Sequence, residues 1–270
     1  NNRERQTRGY FKKIIMYLNN EKKLILKLKS LRKNQNLIGI KSEFEAEGSS
    51  FEEVSNLRSI TRICNTKLFV KIGGVEAIND IYKCIEIGVD GIIAPMVESK
   101  FAAFKFISFF KKKKLLKFPH LSINIETKTA YENIDEIIRI CKGTINNITI
   151  GRSDLSKSFF NKKVLPDNKL IQNIILEVAK RSSKYGITTT VGGSISQNTI
   201  QEYAKSRLLK KYIKKLETRK VILPFKSFLR SHSIEKALDF EKFYILYKNE
   251  LNKFKSQSEN ERLSILTTRV

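Results

Sequence analysis

Apolar runs in this chain repeatedly end in groups that can do chemistry. Glu43, Glu45 and Glu47 follow one such run, Lys71 a second and Glu98 a third. Asn124 and Glu126, then Arg152 and Asp154, then Glu217 and Arg219 close others farther along. Carboxylates are hard oxygen ligands, suited to Mg2+ or Mn2+ with positions left open for water and substrate. A cation held by two of them binds a 2-oxo acid through its carboxylate and keto oxygens. As a Lewis acid it then stabilises the enolate formed when a neighbouring carbon–carbon bond breaks. A nearby Lys or Arg adds positive charge at the same oxygen. Each residue alone has a plainer reading: Asp154 or Ser153 could cap a helix start, and Arg152 and Arg219 could be surface or salt-bridge residues. Against those readings stands the recurrence of polar groups at one end of successive runs.

The elements that must position these groups alternate. Strand-like runs fall at 37–44, 67–72, 91–96, 120–126, 146–151, 187–192 and 214–223, with helical patterns at 50–63, 75–87, 99–114, 129–142, 168–184 and 197–206. Such alternation predicts βα units and a parallel sheet. With Gly or a polar cluster at nearly every strand end, the expected α/β fold is a (β/α)8 TIM-type barrel. Its eighth strand is irregular or hidden in the N-terminal stretch. In that fold the active site lies at the C-terminal ends of the strands. A doubly wound open sheet is the alternative, but it calls for a Gly-rich turn after the first strand, where the sequence reads EFEAEGSS. Residues 1–36 read as a helical extension of one or two basic amphipathic helices, with Phe11, Ile14, Ile15 and Leu18 sharing a face. Residues 37–225 form the barrel. Residues 226–270 form C-terminal helices packing on the barrel or on a neighbouring subunit.

The 270 residues, 41% of them hydrophobic, suffice for one large domain with a real core. Fifty-two Lys and Arg against 27 Asp and Glu leave a formal charge of +25. That charge suits nucleic acid, an acidic membrane face or an anionic substrate. The lysines are scattered among abundant Asn and Ile, however, which predicts a solvated surface, and no RNP-like, zinc-finger or helix-turn-helix pattern supports nucleic-acid binding. The KKKK run at 111–114 reads as the basic end of a helix. Cys64, Cys84 and Cys141 are odd in number and set in apolar segments, predicting buried free thiols in a reducing, cytoplasmic compartment. No apolar run approaches the ~20 residues of a membrane span, and the N-terminal stretch lacks a signal-peptide core. The sequence opens on Asn1 rather than Met, which leaves its natural start open.

Three stretches, GVDGIIAPMVES (88–99), INIETKTAYENIDEI (123–137) and ITIGRSDLSKS (148–158), occur together and in order. Over about 37–225 the chain resembles the HpcH/HpaI aldolase and citrate lyase β-subunit family, in particular a poorly characterised aldolase/citrate lyase-like branch. The resemblance implies a metal-dependent carbon–carbon lyase of aldolase type. It would act on a 2-oxo acid such as pyruvate through a metal-stabilised enolate, with an aldehyde or acyl partner. It implies Glu126 and Asp154 as ligands of Mg2+ or Mn2+, with Asn124 near the substrate; Arg152 and Arg219 are the candidates for holding the anionic end of that substrate. The sequence departs from the pattern at two places. Lys71 stands where aldolases of the family carry an arginine; it keeps the charge but loses bidentate contact. EAEG (45–48) stands where the sugar-acid aldolases have a histidine, so Glu45 or Glu47 would serve as general base. Lys71 also permits a metal-free Schiff-base route, which would leave Glu126 and Asp154 without a purpose. An acyl-CoA (citramalyl/malyl-type) lyase is the related alternative, and a non-catalytic barrel acting as a binding or assembly protein is the alternative of another class. The resemblance and the long C-terminal helix together imply a homo-oligomer.

Overall fold

The computed structural model describes residues 2–112, 119–230 and 232–267. A long helix α1 (Asn2–Gln35) leads into β1 (Gly39–Glu43), α2 (Phe51–Ile63), β2 (Lys67–Lys71), α3 (Ile78–Ile87), β3 (Gly91–Ala94), α4 (Lys100–Lys111) and β4 (His120–Ile125). Next come α5 (Lys128–Glu132), α6 (Ile134–Cys141), β5 (Asn147–Gly151), α7 (Arg152–Lys157), α8 (Lys169–Ser183) and β6 (Thr188–Gly192). The order ends with α9 (Gln197–Lys205), α10 (Arg207–Tyr212), β7 (Lys215–Glu217), β8 (Val221–Pro224), α11 (Phe225–Phe228) and α12 (Ser233–Thr267).

The eight strands close into a barrel in sequence order. β1 to β7 are parallel neighbours, as the alternation predicts. The eighth strand is the irregular one of the two alternatives. It is neither hidden near the N-terminus nor part of a parallel unit. The run read as one strand over 214–223 is two, and β8 returns antiparallel to both β7 and β1. An antiparallel return needs only a tight turn, where a parallel one needs a crossover helix. That turn holds because the Thr218 N–H donates to the Val221 carbonyl at 3.0 Å and the Val221 N–H to the Thr218 hydroxyl at 3.1 Å. No Gly or Pro punctuates it, so the reversal leaves little trace in the sequence. Its consequence is functional: Thr218, Arg219 and Lys220 arrive at the same end of the barrel as the C-termini of the parallel strands.

The helices bury one stripe each, at the spacing of a 3.6-residue period. α6 buries Ile134, Ile137, Ile138 and Cys141, and α8 buries Ile171, Ile174, Ile175 and Val178. Ser50, Ser99, Thr127 and Ser196 cap α2, α4, α5 and α9 through their side-chain oxygens. The pattern expected as one helix over 129–142 is broken at Asn133 into α5 and α6. α1 is a single helix rather than two; the side chains of Phe11, Ile14, Ile15 and Leu18 lie outside the described residues. α4 ends at Lys111, and Lys113 and Lys114 of the KKKK run also lie outside them. α12 is one helix packed along α1; it buries Ala237, Phe240, Tyr244 and Tyr247, and α1 buries Leu24, Leu28 and Leu31. All three cysteines are buried free thiols, and burial pushes those of Cys84 and Cys141 up to about 12. No helix among the described residues is long and apolar enough to cross a membrane.

Candidate active site

Side chains two apart on a strand share a face, so Lys41 and Glu43 of β1 enter the barrel together. β2 adds Lys71 and β7 adds Glu217. The four make a chain of alternating charge. Lys71 Nζ lies 3.1 Å from Glu43 Oε2, while Lys41 Nζ lies 3.3 Å from Glu43 Oε1 and 2.7 Å from Glu217 Oε1. Burial works against the charge on Lys41, but Glu217 and Glu43 outweigh it and hold the ammonium above the ordinary lysine range. Burial likewise opposes the charge on Glu43, and Lys41 and Lys71 draw its carboxyl below the usual value. Gly192 makes room for this chain: a Cβ there would stand 2.8 Å from Glu217 Cγ.

Above the chain sits a pair of carboxylates. Glu126 follows β4 and is buried; its Oε1 accepts from the Met96 N–H at 3.0 Å and its Oε2 from Asn124 Nδ2 at 3.2 Å. Burial pushes its carboxyl up, and the charge of Asp154 adds to the push, against the pull of Lys71, the Met96 amide and Asn124. Asp154 lies in the first turn of α7 with its side chain 57% exposed and Lys157 at 3.7 Å. α7 starts directly at Arg152, and its cap position is Gly151, which offers no side-chain bond. Neither Ser153 nor Asp154 is the helix cap, so the plainer reading of Asp154 fails. Gly151 is required where it stands, since a Cβ would lie 2.7 Å from Glu126 Oε2.

These groups line one cavity of about 370 Å3 at the C-terminal ends of the strands, together with Ser153, Ser194, Thr149 and Arg219. Of the residues singled out in the sequence, Glu43, Lys71, Asn124, Glu126, Asp154, Glu217 and Arg219 meet there. Arg219 is exposed and has no ion pair among the described residues. Arg152, expected to hold substrate, does not line the cavity. It is fully buried and its guanidinium is spent on protein oxygens: the Gly193 carbonyl at 2.7 Å, the Ser194 carbonyl at 2.8 Å and Asp167 Oδ1 at 2.6 Å. It ties the start of α7 to the loop after β6, and so fixes where Asp154 stands. Glu45 and Glu47, expected as general bases, do not line the cavity either. Glu47 is ion-paired with buried Lys220 and accepts from the Glu43 N–H, while Glu45 is exposed beside Gly73. The reason is local: the chain turns after Glu43, so the two glutamates leave the strand face that Lys41 and Glu43 share.

Sequence reasoning missed Lys41 and Glu241. Lys41 was legible as the residue two before Glu43 on a strand. Glu241, which α12 brings to the cavity rim with Leu238, carries no local signal.

The donor set fits a divalent cation of the hard class. Glu126 and Asp154 offer carboxylate oxygens, and the side-chain oxygen of Asn124 beside them is buried without a hydrogen-bond partner. No three Asp, Glu, His or Cys side chains converge among the described residues. Two carboxylates therefore suit an open site completed by water and ligand oxygens, not a closed cage.

A family model described as HpcH/HpaI aldolase/citrate lyase matches residues 51–205, more than half of the chain. No curated protein matches the chain by sequence. Among solved structures, citrate synthase SbnG aligns with a TM-score of 0.58 at 14% identity, over 81% of this chain and 89% of that one. An HpcH/HpaI aldolase from Desulfitobacterium hafniense DCB-2 gives 0.57 at 14% identity, over 70% and 80%. An HpcH/HpaI aldolase/citrate lyase family protein from Burkholderia cenocepacia J2315 gives 0.54 at 10% identity, over 75% and 84%. Structural likeness at such low identity speaks for the shared barrel, not for a shared substrate.

Proposed function

The chain belongs to the HpcH/HpaI aldolase/citrate lyase family, and from that premise we propose that it is a divalent-metal-dependent carbon–carbon lyase acting next to the keto group of a 2-oxo acid such as pyruvate. The observation that carries the reading is the meeting of Glu126, Asp154 and Lys71 in one cavity, with Gly151 bare against the Glu126 carboxylate. Glu126 and Asp154 would hold Mg2+ or Mn2+. When bound, such a cation supplies Lewis acidity at the substrate's carboxylate and keto oxygens.

The remaining work falls to the chain's own groups. Asn124 donates to Glu126 and so orients it. Lys71 brings a positive charge to the oxygen on which the enolate charge develops. Its ammonium is already fixed by Glu43 at 3.1 Å, so little reorganisation is needed as that charge appears. Of the three glutamates at 43, 45 and 47, Glu43 alone lines the cavity, and we assign it the exchange of a proton with substrate alongside Lys71. Arg219, exposed at the rim, is placed to meet the anionic end of the second substrate fragment. Arg152 acts through Asp154 as a positioning residue.

The test is thermal unfolding with Mn2+ or Mg2+, with and without oxalate or pyruvate. Metal and oxoacid should stabilise the parent jointly, in proportion to the logarithm of ligand over Kd. Glu126→Gln and Asp154→Asn should lose the joint response. A parent that ignores the metal, or mutants that keep the response, would overturn the assignment.

A further inference from the structure

We infer that the opposite, N-terminal end of the barrel holds a second binding site, one for a multivalent oxyanion of the phosphate class, recognised by Lys67, His120 and Lys215. A cavity of about 610 Å3 opens there, lined by Lys67, His120, Lys111 and Asn146 among others; Lys215 is not part of that lining but stands near enough for its charge to act on His120, as that of Lys67 acts on Lys215. Lys67, His120 and Lys215 are the first residues of β2, β4 and β7, so three strands bring basic groups to one rim. Among the described residues the hydrogen-bond partner of Lys215 Nζ is the Thr188 hydroxyl, at 3.3 Å. The His120 ring stands edge-on to Phe69, 5.6 Å between centroids, and its Nδ1 is buried without a hydrogen-bond partner.

Among the described residues this rim lacks a free carboxylate. Asp90 lies in the cavity but is engaged by Arg58 at 2.6 Å and by the Leu68 N–H at 2.9 Å. Glu217, two residues along β7 from Lys215, is committed to Lys41 at 2.7 Å. Among the described residues neither Lys67 nor Lys215 has an ion pair. The crowding shows in the titration of the groups. Burial, with Lys67 adding to it and Glu217 opposing, pushes Lys215 down to about 8. Burial, then Lys215 and Lys67, push His120 down to about 4. A dianion with several oxygens satisfies both ammonium groups and an imidazole N–H at once, where a monovalent halide cannot.

The probe is inorganic phosphate, titrated into the full chain at ionic strength held constant with chloride, and followed by phosphorus NMR linewidth and thermal unfolding. The expected result is saturable binding that raises Tm. Lys67→Met and Lys215→Met should each weaken the apparent Kd by roughly tenfold, the loss of one charge-assisted contact. Lys67 is exposed, so its replacement does not disturb the core. Arg219→Met, at the other end of the barrel, and Lys29→Met, an exposed lysine of α1, should leave the Kd unchanged. Four outcomes overturn the inference: a response that never saturates, equal affinity in the parent and both rim variants, loss in Arg219→Met, or equal weakening in Lys29→Met.

Discussion

The two ends of this barrel carry lysines in opposite circumstances. At the C-terminal end Lys41, Lys71 and Lys220 are each matched to a glutamate: Lys41 to Glu217 and Glu43, Lys71 to Glu43, Lys220 to Glu47. At the N-terminal end Lys67 and Lys215 have no ion pair among the described residues, and the charges of both act on His120. A buried charge is tolerated when its partner is built in, and such a pair is rigid machinery. A cluster of like charge without a partner is a standing demand for an anion from outside. One end thus holds its charges ready for a reaction, and the other keeps them in want of a ligand.

The contrast can be tested by removing charges from either end. The largest effect should come from Lys41→Met, which leaves Glu43 and Glu217 buried without their shared cation. Breaking a buried pair in this way costs about 3–5 kcal/mol, to be measured by urea unfolding. Next is Lys71→Met, which should fold while lowering kcat on the productive substrate by about 10²–10³-fold, the usual loss for one preorganised group facing developing charge. Gly151→Ala should cost about 1–3 kcal/mol by overpacking, because the new Cβ meets Glu126. Metal-induced stabilisation should weaken in the same variant.

A smaller effect of opposite sign is expected at the other end. The folded pKa of Lys215 lies below its unfolded value, so below about 8 folding carries the cost of keeping that ammonium buried among cations. The cost is relieved as pH rises from about 8 toward the ordinary lysine value, where the unfolded chain binds more protons than the folded one. In phosphate-free buffer Lys215→Met should therefore raise Tm at pH 7, and its advantage should vanish above pH 10. A variant that destabilises at pH 7 would show that Lys215 is already satisfied within the fold. The smallest effect should be that of Glu45→Gln, which is exposed and outside the cavity: a stability change within about 0.5 kcal/mol and no change in kcat. A large kcat loss there would restore Glu45 as the proton-transfer group.

The legible part of this protein is what local pattern encodes. Seven parallel strands, the helices between them and the ends at which chemistry sits all follow from period, because a strand buried on both faces must be apolar and its polar exit must be functional or capped. Glu43, Lys71, Asn124, Glu126, Asp154, Glu217 and Arg219 follow that way, and they do share one cavity. The illegible part needed distances. Period alone shows strand character over 214–223 but not that the strand reverses, since a turn of Thr-Arg-Lys held by the Thr218 hydroxyl uses no obligatory turn residue. Arg152 and Glu47 carry the right chemistry at plausible positions. Only the tertiary structure decided that both are consumed inside the protein, one by the carbonyls of Gly193 and Ser194, the other by Lys220. Sequence by itself determined which side chains are charged and which strand ends present them. Which charges meet each other, and which are left for a ligand, depended on closing the barrel, because an ion pair is a matter of a few ångströms between residues that the chain separates by most of its length.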